Sequence, residues 1–393
     1  MLKTLASVVL LSTSVAIAAP WGGSQQFGGK PHPPPGFFPS HGDHGKFGGH
    51  GYGSGNGSGQ VPFTFPLANG FPNIKNPSPA LTQIEKQAHG TLPNTPLSPT
   101  LQTGDNTIFE LIAFNELFEV AFFTSLINNI TQGVEGFEIG SPVVKNFVLN
   151  ALITVQAQEE LHALGANGIL TAAGETPIQP CEYIFPSADF DSAIGFARTF
   201  TDVVLGTLQD ALAGLAANGD EEYIPLIGSI IGQEGEQNGY YRSLLDLVPS
   251  ELPFLTRSKA QFAFSVLNQD VVVPGSCPNS NIIDLPIFGA LKVLAENIKG
   301  KDQQLEFSFT NNGTDTDSIS LVYINQQNLP IVEKPTIISE KDGVVTFEAF
   351  FPFSKFIMNG LTIAVVTNDS GPFDTVDEVA DATLFGPGLI EVN

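Results

Sequence analysis

The sequence predicts an α+β protein in which a four-helix bundle precedes a β-sandwich-like domain, and three observations lead to this prediction. Residues 100–270 contain little proline and carry long apolar runs at helical period. Residues 283–393 carry short β-branched and aromatic segments, separated by Asn-Gly and Asp-Gly turns. Residues 19–99 are rich in Gly, Pro and His, which predicts a disordered spacer rather than a packed domain.

Four long helices are expected in the bundle, followed by a short fifth helix from Thr256 to about Asn268. The four run from Asp105 to about Asn128, from Ser141 to about Ala172, from Ser187 or Asp189 to Ala217, and from about Asp220 to just before Pro249. The first of them is apolar on all sides, which is typical of a helix buried in a core. Four long helices with modest connections indicate a four-helix bundle.

The C-terminal region contains four segments with the alternation and composition of strands. They are residues 305–309, 319–324, 344–350 and 361–366. Their number and turn signals predict an antiparallel β-sandwich-like domain.

The N-terminus has the layout of a secretory signal peptide over residues 1–18, with cleavage expected after Ala18. Later apolar stretches are too short to form a transmembrane helix, and we see no hydrophobic C-terminal tail of the kind a lipid anchor needs. The mature protein is therefore expected to be soluble and secreted, either outside the cell or in a cell wall.

Two further features fit an oxidising compartment. Cys181 and Cys277 both lie beside proline in loop-like sequence, so one disulfide is the first interpretation and two free thiols the alternative. The Asn-x-Ser/Thr pattern predicts four N-glycosylation sites, at Asn56, Asn129, Asn312 and Asn368.

The net charge of −24, from 40 acidic and 16 basic residues, bears on the classes of partner. Such a surface repels phosphate backbones and anionic lipids. We therefore expect neither nucleic acid nor a membrane as a partner.

The clearest chemical motif is the Glu-x-x-His pair formed by Glu159 and His162 on the second predicted helix. Residues three apart on a helix lie side by side, and bundles that bind two metal ions use this spacing together with single Glu residues from other helices. Glu116 lies in the first helix, in a run without lysine or arginine. A buried carboxylate of this kind must be protonated, hydrogen-bonded or bound to a cation.

The segments Asn115–Phe123 and Gln158–Ala163 resemble the fungal secreted ferritin-like domain proteins. This group comprises the late-sexual-development and nutrient-stress-induced proteins of ascomycetes, which are distantly similar to plant desiccation-related proteins. The run Thr383–Asn393 is similar to the closing sequence of the group, so the resemblance covers roughly residues 100–393. It implies a ferritin-like helical domain at 100–270, secretion, and induction in development or starvation, but no particular reaction.

A complete ferritin-like dimetal site has two sets of ligands, each with a Glu and a Glu-x-x-His pair. Four of the six positions are matched in this sequence, by Glu116, Glu159, His162 and Glu234. Asp202 is shorter than glutamate and one residue away from the expected third-helix Glu, and Gln237 stands where the second His belongs. Glu119 is a weaker candidate beside Glu116.

Three interpretations of this incomplete set are open. The cluster is a working dimetal redox centre, a site for one Fe, Mn or Zn ion, or a metal-free polar network. In the metal-free interpretation the Glu and His side chains hydrogen-bond to Gln237, Tyr241 and Thr201 across the core.

The function we favour is that of a secreted ferritin-like protein with a role in stress response or sexual development at the fungal cell surface. Its metal site is then single or vestigial, and the protein is not an enzyme. One alternative is a metal-dependent oxidoreductase acting on iron, oxygen or peroxide. The other is a structural or adhesive wall protein whose β-rich domain binds cell-wall glycan or a protein partner.

Overall fold

The structure is a computed structural model that describes residues 61–393. The predicted signal peptide, the first part of the predicted spacer and Asn56 lie outside these residues. The helices before the β region are α1 Pro79–Ala88, α2 Asp105–Gln132, α3 Pro142–Ala172, α4 Phe190–Asn218, α5 Ile224–Leu244 and α6 Ala260–Val266. Short helical turns cover Glu221–Tyr223, Leu267–Val271 and Ser280–Ile282.

Helices α2 to α5 confirm the predicted bundle, and their ends follow from local sequence. The Ser141 hydroxyl accepts a hydrogen bond from the backbone of Val144 at the start of α3, where Pro142 occupies the first turn. Asp189 and Ser192 form a reciprocal capping box at the start of α4. Gly219 ends α4 with a positive φ of 105°, a conformation that glycine adopts without strain.

The core of the bundle is filled by aromatic rings. Phe118 and Phe122 on α2 pack against Phe200 on α4, with ring centroids 5.1 and 5.3 Å apart. Phe123 lies stacked on Tyr241 of α5, with centroids 6.0 Å apart. Edge and offset ring contacts of this kind stabilise a core beyond simple area burial, and they hold α2 at the centre of the bundle.

Residues 61–99 differ from the expected disordered spacer. Helix α1 lies in this segment, and its N-terminus is capped by the Ser78 hydroxyl, which accepts a hydrogen bond from the backbone of Leu81. Ile84 and Ala88 pack against Ala157 of α3. Because the segment is rich in proline, the sequence did not predict this ten-residue helix, whose apolar face is buried.

The C-terminal region is a β-sandwich with α7 Phe353–Phe356 and α8 Val376–Ala382 between its strands. Its strands are β1 Leu291–Val293, β2 Gln303–Thr310, β3 Ser320–Asn325, β4 Ile331–Glu333, β5 Thr336–Lys341, β6 Val344–Phe351, β7 Gly360–Thr367 and β8 Thr383–Val392. One sheet has the order β1-β2-β6-β5 and the other β4-β3-β7-β8, with antiparallel pairing throughout. The four predicted strands correspond to β2, β3, β6 and β7.

The two sheets share one hydrophobic core. Phe307 and Phe347 stack on neighbouring strands of one sheet, with ring centroids 5.3 Å apart. Tyr323 from the other sheet meets Phe351 edge-on at 5.4 Å. The contact of Tyr323 with Phe351 and the shared core between the two sheets confirm the predicted sandwich.

The bundle and the sandwich are in direct contact, and residues 61–393 belong to one compact unit. The segment between α5 and α6 lies against α4 at Gly206, where a Cβ atom would be 2.4 Å from the Thr256 carbonyl oxygen. The Thr256 hydroxyl in turn donates a 2.6 Å hydrogen bond to the Leu361 carbonyl on β7. This segment therefore joins the helices to the second sheet.

The predicted disulfide is present, with the sulfur atoms of Cys181 and Cys277 2.03 Å apart. Asn312 and Asn368 are exposed and remain predicted glycosylation sites. Asn129 does not fit this prediction, because it is 1% exposed and its Oδ1 accepts a hydrogen bond from the Val61 backbone. None of the helices among residues 61–393 is long and apolar enough to cross a membrane.

Candidate metal centre

Three helices bring the four matched residues to one point in the bundle core. Glu116 lies on α2, Glu159 and His162 on α3, and Glu234 on α5. One ligand atom from each of the four lies within 4.8 Å of the others. The three carboxylate side chains are at most 1% exposed.

The imidazole of His162 faces all three carboxylates through the same nitrogen. Its Nδ1 is 2.7 Å from Glu159 Oε2, 3.5 Å from Glu116 Oε2 and 3.9 Å from Glu234 Oε1. The first contact follows from the i, i+3 spacing on α3. The other two depend on how α2 and α5 pack against that helix.

Glu116 and Glu234 lack hydrogen-bond donors, although they are buried. Neither oxygen of either carboxylate has a hydrogen-bond partner among the described residues. Buried polar groups in folded proteins are normally satisfied, so such orphaned atoms call for a proton or a bound cation. Because carboxylate and imidazole donors suit Fe, Mn and Zn, the residues fit a metal ion of this group.

The electrostatics of the cluster reflect burial and mutual repulsion. Burial raises the pKa of Glu116 to about 7, although His162 opposes the shift. Burial, followed by repulsion from Glu116 and Glu159, raises the pKa of Glu234 well above its ordinary value. Desolvation alone would lower the pKa of His162, but the carboxylates of Glu159 and Glu116 raise it well above its usual range.

Gln237 and Tyr241, both on α5, hold Glu159 in place. Gln237 Nε2 donates a 2.6 Å hydrogen bond to Glu159 Oε1, and the Tyr241 hydroxyl donates to Gln237 Oε1 at 3.3 Å. This part of the predicted polar network is present. Thr201 is not part of it, because its buried hydroxyl has no hydrogen-bond partner among residues 61–393.

The weaker ligand candidates do not join the four residues. Asp202 lies in a different group, with Glu251 and Glu391. The Gln237 amide is bound to Glu159 instead of taking the place of an imidazole. Glu119 is 1% exposed, and its Oε1 accepts a 2.7 Å hydrogen bond from Asn115 on its own helix.

Glu160, the neighbour of Glu159 on α3, is a further buried carboxylate and is 3% exposed. Asn69 Nδ2 donates to both of its carboxylate oxygens, at 2.9 and 3.0 Å. Burial raises the pKa of Glu160 to about 7, against the lowering effect of these hydrogen bonds. Its partner comes from the segment before α1, 91 positions away, so helix periodicity could not reveal it.

Sequence reasoning also missed the second group of acids and its two arginines, Arg198 and Arg242. Both guanidinium groups lie on bundle helices and are 4% exposed. The available signal was an arginine in an otherwise apolar helical stretch, since a buried guanidinium requires carboxylate partners.

Comparison with known families agrees with the geometry of the bundle. A family model described as a ferritin-like domain matches residues 104–247, which include the whole of helices α2 to α5. No curated protein matches the sequence significantly. Residues 104–247 are therefore a ferritin-like domain, and its helices carry a buried carboxylate and histidine cluster that could bind a metal ion.

Proposed function

We propose that the ferritin-like domain binds a single divalent metal ion between four residues of three helices. The ligands are Glu116, Glu159, His162 and Glu234. The observation that carries the proposal is the pair of buried carboxylates, Glu116 and Glu234, whose four oxygens lack hydrogen-bond partners among the described residues. A cation would supply the missing partner for both groups at once.

The spacing of the donors suits one ion. Ligands about 2.1 Å from a shared ion are at most about 4.2 Å apart. The three distances from His162 Nδ1 to the carboxylates, 2.7, 3.5 and 3.9 Å, lie inside this limit. The widest pair in the group lies within 4.8 Å, so only a small contraction is needed.

A second ion is not favoured, because the residues that would complete its ligand set are engaged elsewhere. Asp202 lies with Glu251 and Glu391, away from the centre. Gln237 supplies a neutral amide whose N–H already binds Glu159. A mononuclear centre is therefore the form of the site that this ligand set supports best.

Protons and metal compete for the same side chains. The 2.7 Å contact between His162 Nδ1 and Glu159 Oε2 needs a hydrogen on one of the two atoms, and burial favours the protonated form of Glu116 and Glu234. These protons must leave before the groups can act as ligands, so metal affinity falls as the pH is lowered. When bound, the ion would supply Lewis acidity and, as Fe or Mn, one-electron redox chemistry.

The setting we propose is a secreted, non-enzymatic protein of the fungal cell surface, with a role in stress response or sexual development. The support for it is the resemblance of residues 100–393 to the fungal group, the signal-like sequence at 1–18 and the disulfide. An oxidoreductase at the same centre is the competing function.

Metal titration of chelator-treated protein tests the proposal. We expect one equivalent of Mn²⁺, Zn²⁺ or anaerobic Fe²⁺ to bind per chain. At free metal one hundred times Kd, binding should raise the free energy of unfolding by about 2.7 kcal/mol. Glu234→Gln should lose most of the affinity, because it replaces an anionic ligand with an amide.

Glu236→Gln is the matched control, since Glu236 is exposed two residues further along the same helix. It should bind metal like the wild type. Absence of metal binding by the wild type would leave only the metal-free network. Two iron atoms per chain with oxygen consumption would instead establish the oxidoreductase.

A further inference from the structure

A second cluster of buried acids lies where α4 meets the β-sandwich. It consists of Asp202 on α4, Glu251 in the segment between α5 and α6, and Glu391 on β8, which we call the junction acids. One carboxylate oxygen from each lies within 4.8 Å of the other two. Asp202 is 4% exposed, and the side chains of Glu251 and Glu391 are 4% and 6% exposed. Three distant parts of the chain thus place carboxylates together where little water reaches them.

Two arginines neutralise part of this charge. Arg242 Nη1 is 3.0 Å from Glu251 Oε1, and Arg198 Nη2 is 3.5 Å from Glu391 Oε2. Three carboxylates against two guanidinium groups leave one excess negative charge in a buried site. An uncompensated buried charge is strongly unfavourable, so the cluster requires one more positive charge.

The hydrogen bonds around Asp202 indicate where that charge resides. Asn238 Nδ2 donates a 2.7 Å hydrogen bond to Asp202 Oδ1, whereas Oδ2 has no partner among residues 61–393. Glu251 Oε2 and Glu391 Oε1 also lack hydrogen bonds within this part of the chain, and the other oxygen of each glutamate is paired only with its arginine. Asp202 presents one oxygen within 4.8 Å of a carboxylate oxygen of each glutamate, so the three groups face one another. A hydrogen on Oδ2 would therefore satisfy one oxygen of Asp202 and one of a neighbouring carboxylate.

We propose that Asp202 keeps a proton on Oδ2 at neutral pH, donates it to the carboxylate of Glu251 or Glu391, and so stabilises the contact between bundle and sandwich. With this proton the cluster has no net charge. A divalent cation would leave one excess positive charge beside the two guanidinium groups, which makes the proton the better partner.

The charged groups that face Asp202 agree with this assignment. Arg198 comes from its own helix, Arg242 from α5, Glu251 from the connecting segment and Glu391 from β8. Burial, then repulsion from Glu391 and Glu251, raises the pKa of Asp202 well above its ordinary value. Burial also raises the pKa of Glu391 to about 7, although Arg198 lowers it.

The consequence is a dependence of stability on pH. Folding raises the pKa of this carboxyl group. At a pH below its pKa in the unfolded chain, the group makes its full contribution to stability. That contribution is lost as the pH rises through its pKa in the folded chain. Contact between bundle and sandwich should therefore weaken in alkaline solution.

Asp202→Asn tests this proposal, because an amide N–H can replace the donated proton and cannot titrate. Unfolding equilibria should be measured from pH 6 to pH 9 for the wild type and the variant. The unfolding constant of the wild type should rise by up to about tenfold more per pH unit than that of the variant, because only the wild type releases this proton on unfolding. The acids of the metal centre contribute equally to both proteins and cancel in the comparison.

Glu236→Gln is the control for the loss of one acid, and it should keep the pH dependence of the wild type. If Asp202→Asn does not fold, Glu391→Gln introduces an amide donor into the same cluster and should reduce the dependence in the same way. Equal pH dependence in wild type and variant would overturn the proposal. Stabilisation of the wild type, but not of Asp202→Asn, by Ca²⁺ would show that a cation, and not a proton, neutralises the junction acids.

Discussion

Gln237 bears on how many ions the proposed centre can hold. It occupies a position where a dimetal site would present an imidazole, and its amide points at Glu159. An amide N–H that donates to a ligand fixes the orientation of that ligand without adding charge. In the proposed centre Gln237 therefore positions Glu159 and is not itself a ligand.

Replacing this amide should weaken metal binding without removing a ligand. Gln237→Ala removes the 2.6 Å hydrogen bond to Glu159, and we expect Mn²⁺ or Zn²⁺ affinity to fall by about 10–100-fold in calorimetric titration. Gln233→Ala is the matched control, because Gln233 Nε2 donates to Gln158 Oε1 at 3.0 Å, and no hydrogen bond joins it to Glu159 within residues 61–393. Unchanged affinity in Gln237→Ala would show that the amide has no role in orienting the ligand.

At the residue scale, two local rules predicted Glu116, Glu159 and His162, whereas Glu234 was predicted from the ferritin-like ligand pattern. Helical spacing places Glu159 beside His162, and a carboxylate in a run without basic residues requires a partner. Neither rule predicts the contacts of Asp202. Its neighbours, Glu251 and Glu391, are 49 and 189 positions away in the chain, and only the packed structure shows that they meet.

At the element scale, the long helices were predictable because periodicity, caps and stop signals agree along the chain. Strand β8 was not predicted from composition, because its centre carries Gly386-Pro387-Gly388, residues that usually interrupt a strand. The structure accommodates them with irregular register between β7 and β8. Helix α1 was missed for a related reason, since prolines surround it on both sides.

The packing of the connecting segment on α4 gives a test at this scale. Gly206→Ala would place a methyl group 2.4 Å from the Thr256 carbonyl oxygen and 2.9 Å from Ser258, so the segment would have to move. Overpacking of this kind should lower the free energy of unfolding by about 1–3 kcal/mol in denaturant titration.

The same substitution on α5 serves as the control. A Cβ at Gly232 would have no described atom within 4 Å, and the position is exposed. Gly232→Ala should therefore stabilise the chain by about 0.5–1 kcal/mol, because alanine is the better helix former. If both variants lose stability, the lower free energy of unfolding comes from the substitution in the helix and not from the contact with Thr256.

At the scale of the whole molecule, α4 serves two interfaces. Phe200 points into the aromatic core of the bundle, whereas Asp202 and Gly206 lie at the contact with the connecting segment and the sandwich. The helix that would supply a further ligand in a complete dimetal site therefore directs its carboxylate to the junction instead. If the centre binds one ion as proposed, the contact with the sandwich and the missing third-helix ligand are linked through this helix.

The disulfide provides the last test, because it closes a loop that contains both α4 and α5. Cys181 and Cys277 are 96 positions apart, and constraint of so long a loop in the unfolded chain should stabilise the fold by about 2–4 kcal/mol. The Cys181→Ser/Cys277→Ser double variant should lose this amount in denaturant titration. Wild type treated with reductant should have the same free energy of unfolding as the double variant, and reductant should not change the variant.

Two backbone hydrogen bonds, from Val273 to Glu182 at 2.9 Å and from Ile184 to Val271 at 2.7 Å, join the segments that the disulfide links. An unchanged free energy of unfolding would mean that such hydrogen bonds alone hold the segments together.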